Sequence, residues 1–413
     1  MKMKKKIWLL LVLVLILACL AGCSSIPPKA ADVQIDEEHF PDSAFREAVT
    51  AFDLDQDGKL SGEEIKKIEY LNIAKKGIAS LQGVEYLTEV KNIYADDNEL
   101  TEVDISHNKK LDRIFLSHNR LEKLDVSNNA ELVNLTCTNN RLTELDVSKN
   151  AKLQILQCGI NGLTELNVRD NTELEELECY ENHLTEIDVR LNAKIRWLEC
   201  WGNQLTELDI SRNAELTSLW CYDNQIEEID FSRNLKMIQV SVSGCKIKDL
   251  DLRRYPDLWG FVCEGCGLTE LDVSKNPKLY QLCCNGNELT DLNLSNNPKL
   301  EVLECSNNKL TQLDLSNNPL VKRLECDGNK LTKLDISCCP KLVERVNGAI
   351  AEEKDGSIEW NLPKDSTRYV YDRFVMRTDK DVEVITEAGS EKGTSGRMIH
   401  FIVFVGREEH VAV

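Results

Sequence analysis

Leucine or isoleucine recurs every 21 residues without slippage, from Leu100 through Leu121, Leu142, Leu163, Leu184, Leu205, Ile226, Ile247, Leu268, Leu289 and Leu310 to Leu331. A fixed period of this size makes each repeat a unit that buries its apolar face only against its neighbours. The chain is therefore expected to fold as a solenoid. Its 413 residues pose no problem of core size, because such a stack grows one layer at a time. Stacks of this kind offer long surfaces for binding and rarely carry catalytic machinery.

One repeat holds two similar halves. Leu153, Leu156, Cys158 and Asn161 have the spacing L-x-x-L-x-C-x-x-N, and Leu163, Leu166, Val168 and Asn171 repeat it directly. Positions 1, 4 and 6 of each half point inward, and the asparagine at position 9 can satisfy backbone groups where the chain turns. The pattern resembles the leucine-rich repeats, more narrowly the bacterial nested subclass (IRREKO-type), over 78–345. That resemblance implies a mainly β solenoid: short parallel strands along one face and extended segments on the other. At the usual strand spacing twelve layers extend roughly 55–60 Å.

Cys137, Cys158, Cys179, Cys200, Cys221, Cys263, Cys284, Cys305 and Cys326 share the inward sixth position with Leu116 and Val242. The slot wants a small apolar group, and a free thiol serves as one. In-register side chains on stacked strands point the same way, which disfavours disulfides. Cys245 and Cys266 stand where asparagine normally does. The spacing does not decide the state of Cys338 and Cys339.

The outward positions of the two halves differ in variety. The second half repeats Thr-Glu-Leu-Asp-Val-Ser, as at 143–148, and its aspartates are expected to cap turns beside Lys or Arg. The first half varies at every outward position. Because strand residues alternate faces, Tyr180, Trp197, Trp201, Trp220 and Tyr222 should form one exposed aromatic patch edged by Glu178 and Glu199. Such a patch marks a binding surface, suited to a glycan by stacking or to a basic peptide by cation–π contact. A glycosidase pair at Glu178 and Glu199 is disfavoured, because a flat sheet is expected to leave its carboxylates hydrated. The six histidines converge on no nucleophile, and no enzyme is expected.

Ahead of the repeats, residues 53–64 match the twelve-residue EF-hand pattern. Asp53, Asp55, Asp57, the carbonyl of Lys59 and Glu64 would hold calcium, and Gly58 permits the sharp turn. Phe40, Phe45, Val49 and Phe52 are spaced for an entering helix that starts near Asp42; Ile65, Ile68 and Tyr70 suit an exiting one. The segment 36–77 then reads as a calcium-stabilised N-terminal cap.

At the start of the chain, basic residues, the apolar run 7–20 and Leu20-Ala21-Gly22-Cys23 read as a signal peptide over 1–22. The tetrapeptide looks like a bacterial lipobox, which implies cleavage before Cys23 and a lipid on that cysteine. A tether over 23–35 follows. Removing residues 1–22, which hold Lys2, Lys4, Lys5 and Lys6 and no acid, takes the formal charge from −20 to −24. So acidic a chain is unsuited to nucleic acid. Over 346–413, residues 358–362, 368–376, 381–386 and 398–405 read as antiparallel strands that cap the last repeat's edge or form a small β domain. The whole reads as a monomeric, lipid-anchored bacterial surface protein that binds an extracellular protein or glycan. The alternative is a spacer of the cell envelope.

Overall fold

The computed structural model describes residues 32–247, 250–347, 349–354, 357–361 and 374–386. The signal peptide, Cys23 and the tether as far as residue 31, residues 368–373 of the expected strand 368–376 and the expected strand at 398–405 lie outside them. Among the described residues no helix is long and apolar enough to cross a membrane.

The solenoid is built from three-residue strands: β3 (Tyr70–Asn72), β4 (Asn92–Tyr94), β5 (Arg113–Phe115), β6 (Asn134–Thr136), β7 (Ile155–Gln157), β8 (Glu176–Glu178), β9 (Trp197–Glu199), β10 (Ser218–Trp220), β11 (Gln239–Ser241), β12 (Gly260–Val262), β13 (Gln281–Cys283), β14 (Val302–Glu304) and β15 (Arg323–Glu325). Each pairs in parallel with the next, in register, so Glu178 stands beside Glu199 and Glu199 beside Trp220. The strands are short because position 8 must turn. It takes a left-handed conformation in repeat after repeat, with φ 57° at His118, 56° at Asn139, 51° at Ile160 and 65° at Gly202. The first strand, at Tyr70–Asn72, lies ahead of the boundary read from the repeats. Tyr70 belongs to the sheet and is exposed, not to an exiting helix.

Most turns are closed by a hydrogen-bonded asparagine. Asn182 Nδ2 donates to the carbonyls of Cys158 (3.1 Å), Cys179 (3.1 Å) and Tyr180 (3.2 Å), while its Oδ1 accepts from Leu163 N (3.0 Å). Where asparagine is missing, other groups take over one of these bonds. Cys245 Sγ donates to Cys221 O and Cys266 Sγ to Val242 O, both at 3.3 Å; in the second row Tyr255 Oη donates to Phe231 O at 2.7 Å. The sixth-position cysteines are free, buried thiols in the core. Burial pushes the thiols of Cys137 and Cys179 up to about 12.

Both ends are closed. At the N-terminus α1 (Ser43–Thr50) is capped by Asp42, whose Oδ1 accepts from the amides of Ala44 and Phe45 (3.0 Å each). The exiting helix α2 (Gly62–Ile65) is a single turn. β1 (Val33–Gln34) pairs antiparallel with β2 (Lys59–Leu60) of the EF-hand-like loop. At the C-terminus come β16 (Lys333–Asp335), helix α3 (Pro340–Asn347), β17 (Ile350–Lys354), β18 (Ser357–Asn361), β19 (Phe374–Asp379) and β20 (Glu383–Ile385). β17, β18 and β19 form an antiparallel meander, but β19 joins β15 in parallel and β20 joins β16 in parallel. The cap thus continues the solenoid's own ladder, where only antiparallel pairing was expected. Helix α3 and strand β17 gave no periodic sign strong enough to be read in advance.

Candidate binding face

The outward residues of the strands form a face whose centre is aromatic. Tyr180, Trp201 and Tyr222, at position 7 of successive repeats, stack with centroids 4.5 and 4.9 Å apart and planes within 7° and 8° of parallel. In-register strands spaced by a ring's thickness produce this geometry directly. Trp197 and Trp220 meet beside the stack at 6.1 Å, tilted by 42°.

Stacking changes what the patch exposes. Trp201 was expected to be open, but with a tyrosine on each face it is only 7 % exposed. Tyr180 closes its other face over Gly159, where an added Cβ would lie 2.8 Å from the ring. Tyr180 and Trp201 therefore turn their edges outward, while Tyr222 is covered by Trp201 on one face.

The carboxylates are also less exposed than expected. Glu199 is 5 % exposed; Oε1 accepts from Trp197 Nε1 (2.8 Å) and Oε2 from Trp201 Nε1 (3.2 Å). Gln157 Nε2 donates to Glu178 Oε1 at 3.0 Å. Burial, and next the Glu199 carboxylate, raise the Glu178 carboxyl to about 8. The premise that a flat sheet keeps its carboxylates hydrated is thus corrected: bulky side chains on neighbouring strands shield them.

The face extends beyond the expected patch. Tyr94 stacks on Phe115 at 4.6 Å, with Tyr70 4.9 Å from Tyr94, near the N-terminal end. Trp259 stacks on Tyr280 at 4.6 Å, and Lys322 Nζ lies 5.5 Å from the other side of the Tyr280 ring. The Tyr94–Phe115 pair could have been found by reading column five across all repeats, whereas Trp259 was legible in the sequence as a second-position residue near the rim. Toward the C-terminal cap, burial raises the Glu304 carboxyl to about 7 and that of Glu325 to about 9. Arg377 of β19 pairs with Asp327 at 2.8 Å, tying the cap to this face.

The EF-hand-like loop brings only part of its set together. Oxygens of Asp53, Asp55 and Asp57 lie within 4.8 Å of one another, a hard-oxygen cluster that fits a divalent cation. Lys59 Nζ sits 3.3 Å from both Asp57 and Asp32. Glu64 serves instead in a capping box: Oε2 accepts from Ser61 N (2.8 Å) and Ser61 Oγ (2.7 Å), and Oε1 from Leu54 N (2.7 Å). These bonds, led by that from the Ser61 hydroxyl, lower its carboxyl to about 2. The second-half aspartates, in turn, cap their turns as expected: Asp146 Oδ1 accepts from Ser148 N at 2.8 Å.

No protein-family model and no curated protein matches this sequence. Solved structures do. The functional domain of InlJ from Listeria monocytogenes, described as including a cysteine ladder, is 29 % identical with a TM-score of 0.56, over 75 % of this chain and 78 % of that one. The fold is a leucine-rich-repeat solenoid. An internalin of the same bacterium, InlF, aligns with a TM-score of 0.57 and 19 % identity, over 75 % of this chain and 94 % of that one. A leucine-rich-repeat protein of Leptospira interrogans aligns at 0.56 and 20 %, over 65 % and 86 %. These last two likenesses concern the fold alone.

Proposed function

We propose that this chain is a non-catalytic surface protein that binds an extracellular protein through the aromatic centre of its sheet face. One observation carries the choice of a protein over a glycan: Trp201 is held between the rings of Tyr180 and Tyr222, and Tyr180 between Trp201 and Gly159, so the centre of the patch offers ring edges. Sugar stacking needs an open ring face, whereas ring edges and half-buried indoles suit the side chains of a protein partner. Glu178 and Glu199 then act as shielded hydrogen-bonding groups within that surface. An array holding both extracellular proteins and glycans tests this. Signals confined to proteins are expected; glycan binding that competes with protein would sink it.

The anchor and the cap complete the reading. Cys23 carries a lipid that holds the mature chain on the outer side of a bacterial membrane, and the mass of the membrane-extracted protein checks this. Calcium sits on Asp53, Asp55, Asp57 and the Lys59 carbonyl, with Glu64 turning from its cap to join them.

A further inference from the structure

The solenoid's last turn carries the two adjacent cysteines whose state the spacing does not decide. Ser337-Cys338-Cys339-Pro340 stands where the two preceding repeats read Ser-Asn-Asn-Pro, at 295–298 and 316–319. In those repeats the second asparagine donates twice. Asn318 Nδ2 bonds the carbonyls of Leu294 and Asn297, 24 and 21 residues back, at 3.0 Å each. A cysteine has a single S–H and cannot do both. Here two thiols share the task. Cys338 Sγ donates to Leu315 O at 3.1 Å and Cys339 Sγ to Asn318 O at 3.4 Å, the two carbonyls that an asparagine at position 339 would bond. Serving neighbouring carbonyls brings the two sulfurs to 3.7 Å.

We propose that Cys338 and Cys339 form a site of thiol–disulfide exchange, which takes a small external disulfide and closes to a reversible bond between the adjacent cysteines. Access sets the order of events. Among the described residues Cys338 is the one cysteine that is not buried, and Cys339 lies behind it with no exposed surface. Cys338 gives up its proton, and its sulfur attacks one sulfur of the external disulfide R–S–S–R, expelling the first RS⁻. Cys339, deprotonated in turn, attacks the Cys338 sulfur of this mixed disulfide and expels the second RS⁻. Both protons end on the released thiolates, and the two electrons lost by the pair reduce the external disulfide to two thiols. Burial raises both thiols, so the pair rests as thiols and not thiolates.

The resulting bond is labile. Adjacent Cα atoms lie about 3.8 Å apart across a trans peptide, closer than the ~4.4 Å lower limit of ordinary disulfides. Strained bonds of this kind are easily reduced, which suits a switch and not a staple. Closing it also weakens the fold. Neither sulfur then carries a hydrogen, so Leu315 O and Asn318 O each lose a donor while keeping their bonds from Asn318 N (2.8 Å) and Val321 N (3.1 Å). Cys339 O accepts from Val343 N at 3.0 Å in the first turn of helix α3, so the distortion falls on the helix that follows the last turn. Oxidation therefore loosens the C-terminal cap. The supply of disulfide rests on the extracytoplasmic location proposed above, whereas the exchange is a property of the pair itself.

The test incubates the full chain in detergent with glutathione disulfide, then alkylates it under denaturing conditions and digests it. The peptide holding Cys338 and Cys339 should be lighter by two hydrogens and unalkylated, while the buried sixth-position thiols alkylate. The melting temperature should fall by roughly 2–6 °C and recover with dithiothreitol. Cys338→Asn with Cys339→Asn rebuilds the Ser-Asn-Asn-Pro of 316–319; this variant should melt no lower than the reduced parent and ignore glutathione disulfide. Cys338→Ser should leave Cys339 open to alkylation after denaturation. A fully alkylated pair, a bond that links two chains, a closed pair with an unchanged melting temperature, or an equal fall in the double asparagine variant would each overturn the proposal. If protein capture by the aromatic face persists in that event, the fault lies with the cysteine pair alone.

Discussion

Trp201 lies between two tyrosines and donates to a carboxylate beneath it, so its aromaticity was legible from the sequence but its exposure was not. Alternation of faces tells which side a residue projects from, not what its neighbours do once there. Gly159 shows the same limit: it is invisible as a signal, yet Tyr180 rests on it. Gly159→Ala should displace that ring and cost about 1–3 kcal/mol, as overpacking does; calorimetry and near-ultraviolet circular dichroism will show it. Glu178 provides a second residue-scale test. Its carboxyl titrates from 4.5 when unfolded to about 8 in the fold, so between these values the folded chain holds more protons. Its stability should therefore be highest near pH 5 and fall toward pH 8. Glu304 and Glu325, raised to about 7 and about 9, act in the same direction. Glu178→Gln should flatten this fall in melting temperature; a parent protein more stable at pH 8 than at pH 5 would contradict the burial argument.

The repeat itself was the most legible element, because its period binds inward leucine, thiol slot and asparagine turn into one pattern. What the asparagine does is a matter of energy. Asn182→Ala removes three donated bonds and leaves Leu163 N without its acceptor, inside the core. A loss of about 1–3 kcal/mol is expected, read as a lower urea midpoint. Asn182→Cys should lose less, since Cys245 and Cys266 already keep one such bond. The EF-hand-like loop was legible as a motif, while its pairing with β1 was not, since two-residue strands have no period. Calcium should raise the melting temperature of the parent and leave that of Asp55→Ala unchanged; equal shifts in both would exclude the aspartate cluster as the site.

At the scale of the whole molecule, the closed ends follow from one requirement: a solenoid must cover its first and last layers. The C-terminal solution was legible only as alternating β-rich segments, since a strand that adds parallel to β15 looks like one in any hairpin. The face between the caps is long, acidic in setting and aromatic at its centre, and the account stands on its binding a protein there. The most direct measurement compares the parent chain with a Trp220→Ala, Tyr222→Ala double variant on an array of extracellular proteins, both shown to melt alike. The parent should capture a defined protein and the variant should lose at least tenfold in affinity. Equal capture by the two would contradict the assignment of the aromatic face as the binding surface.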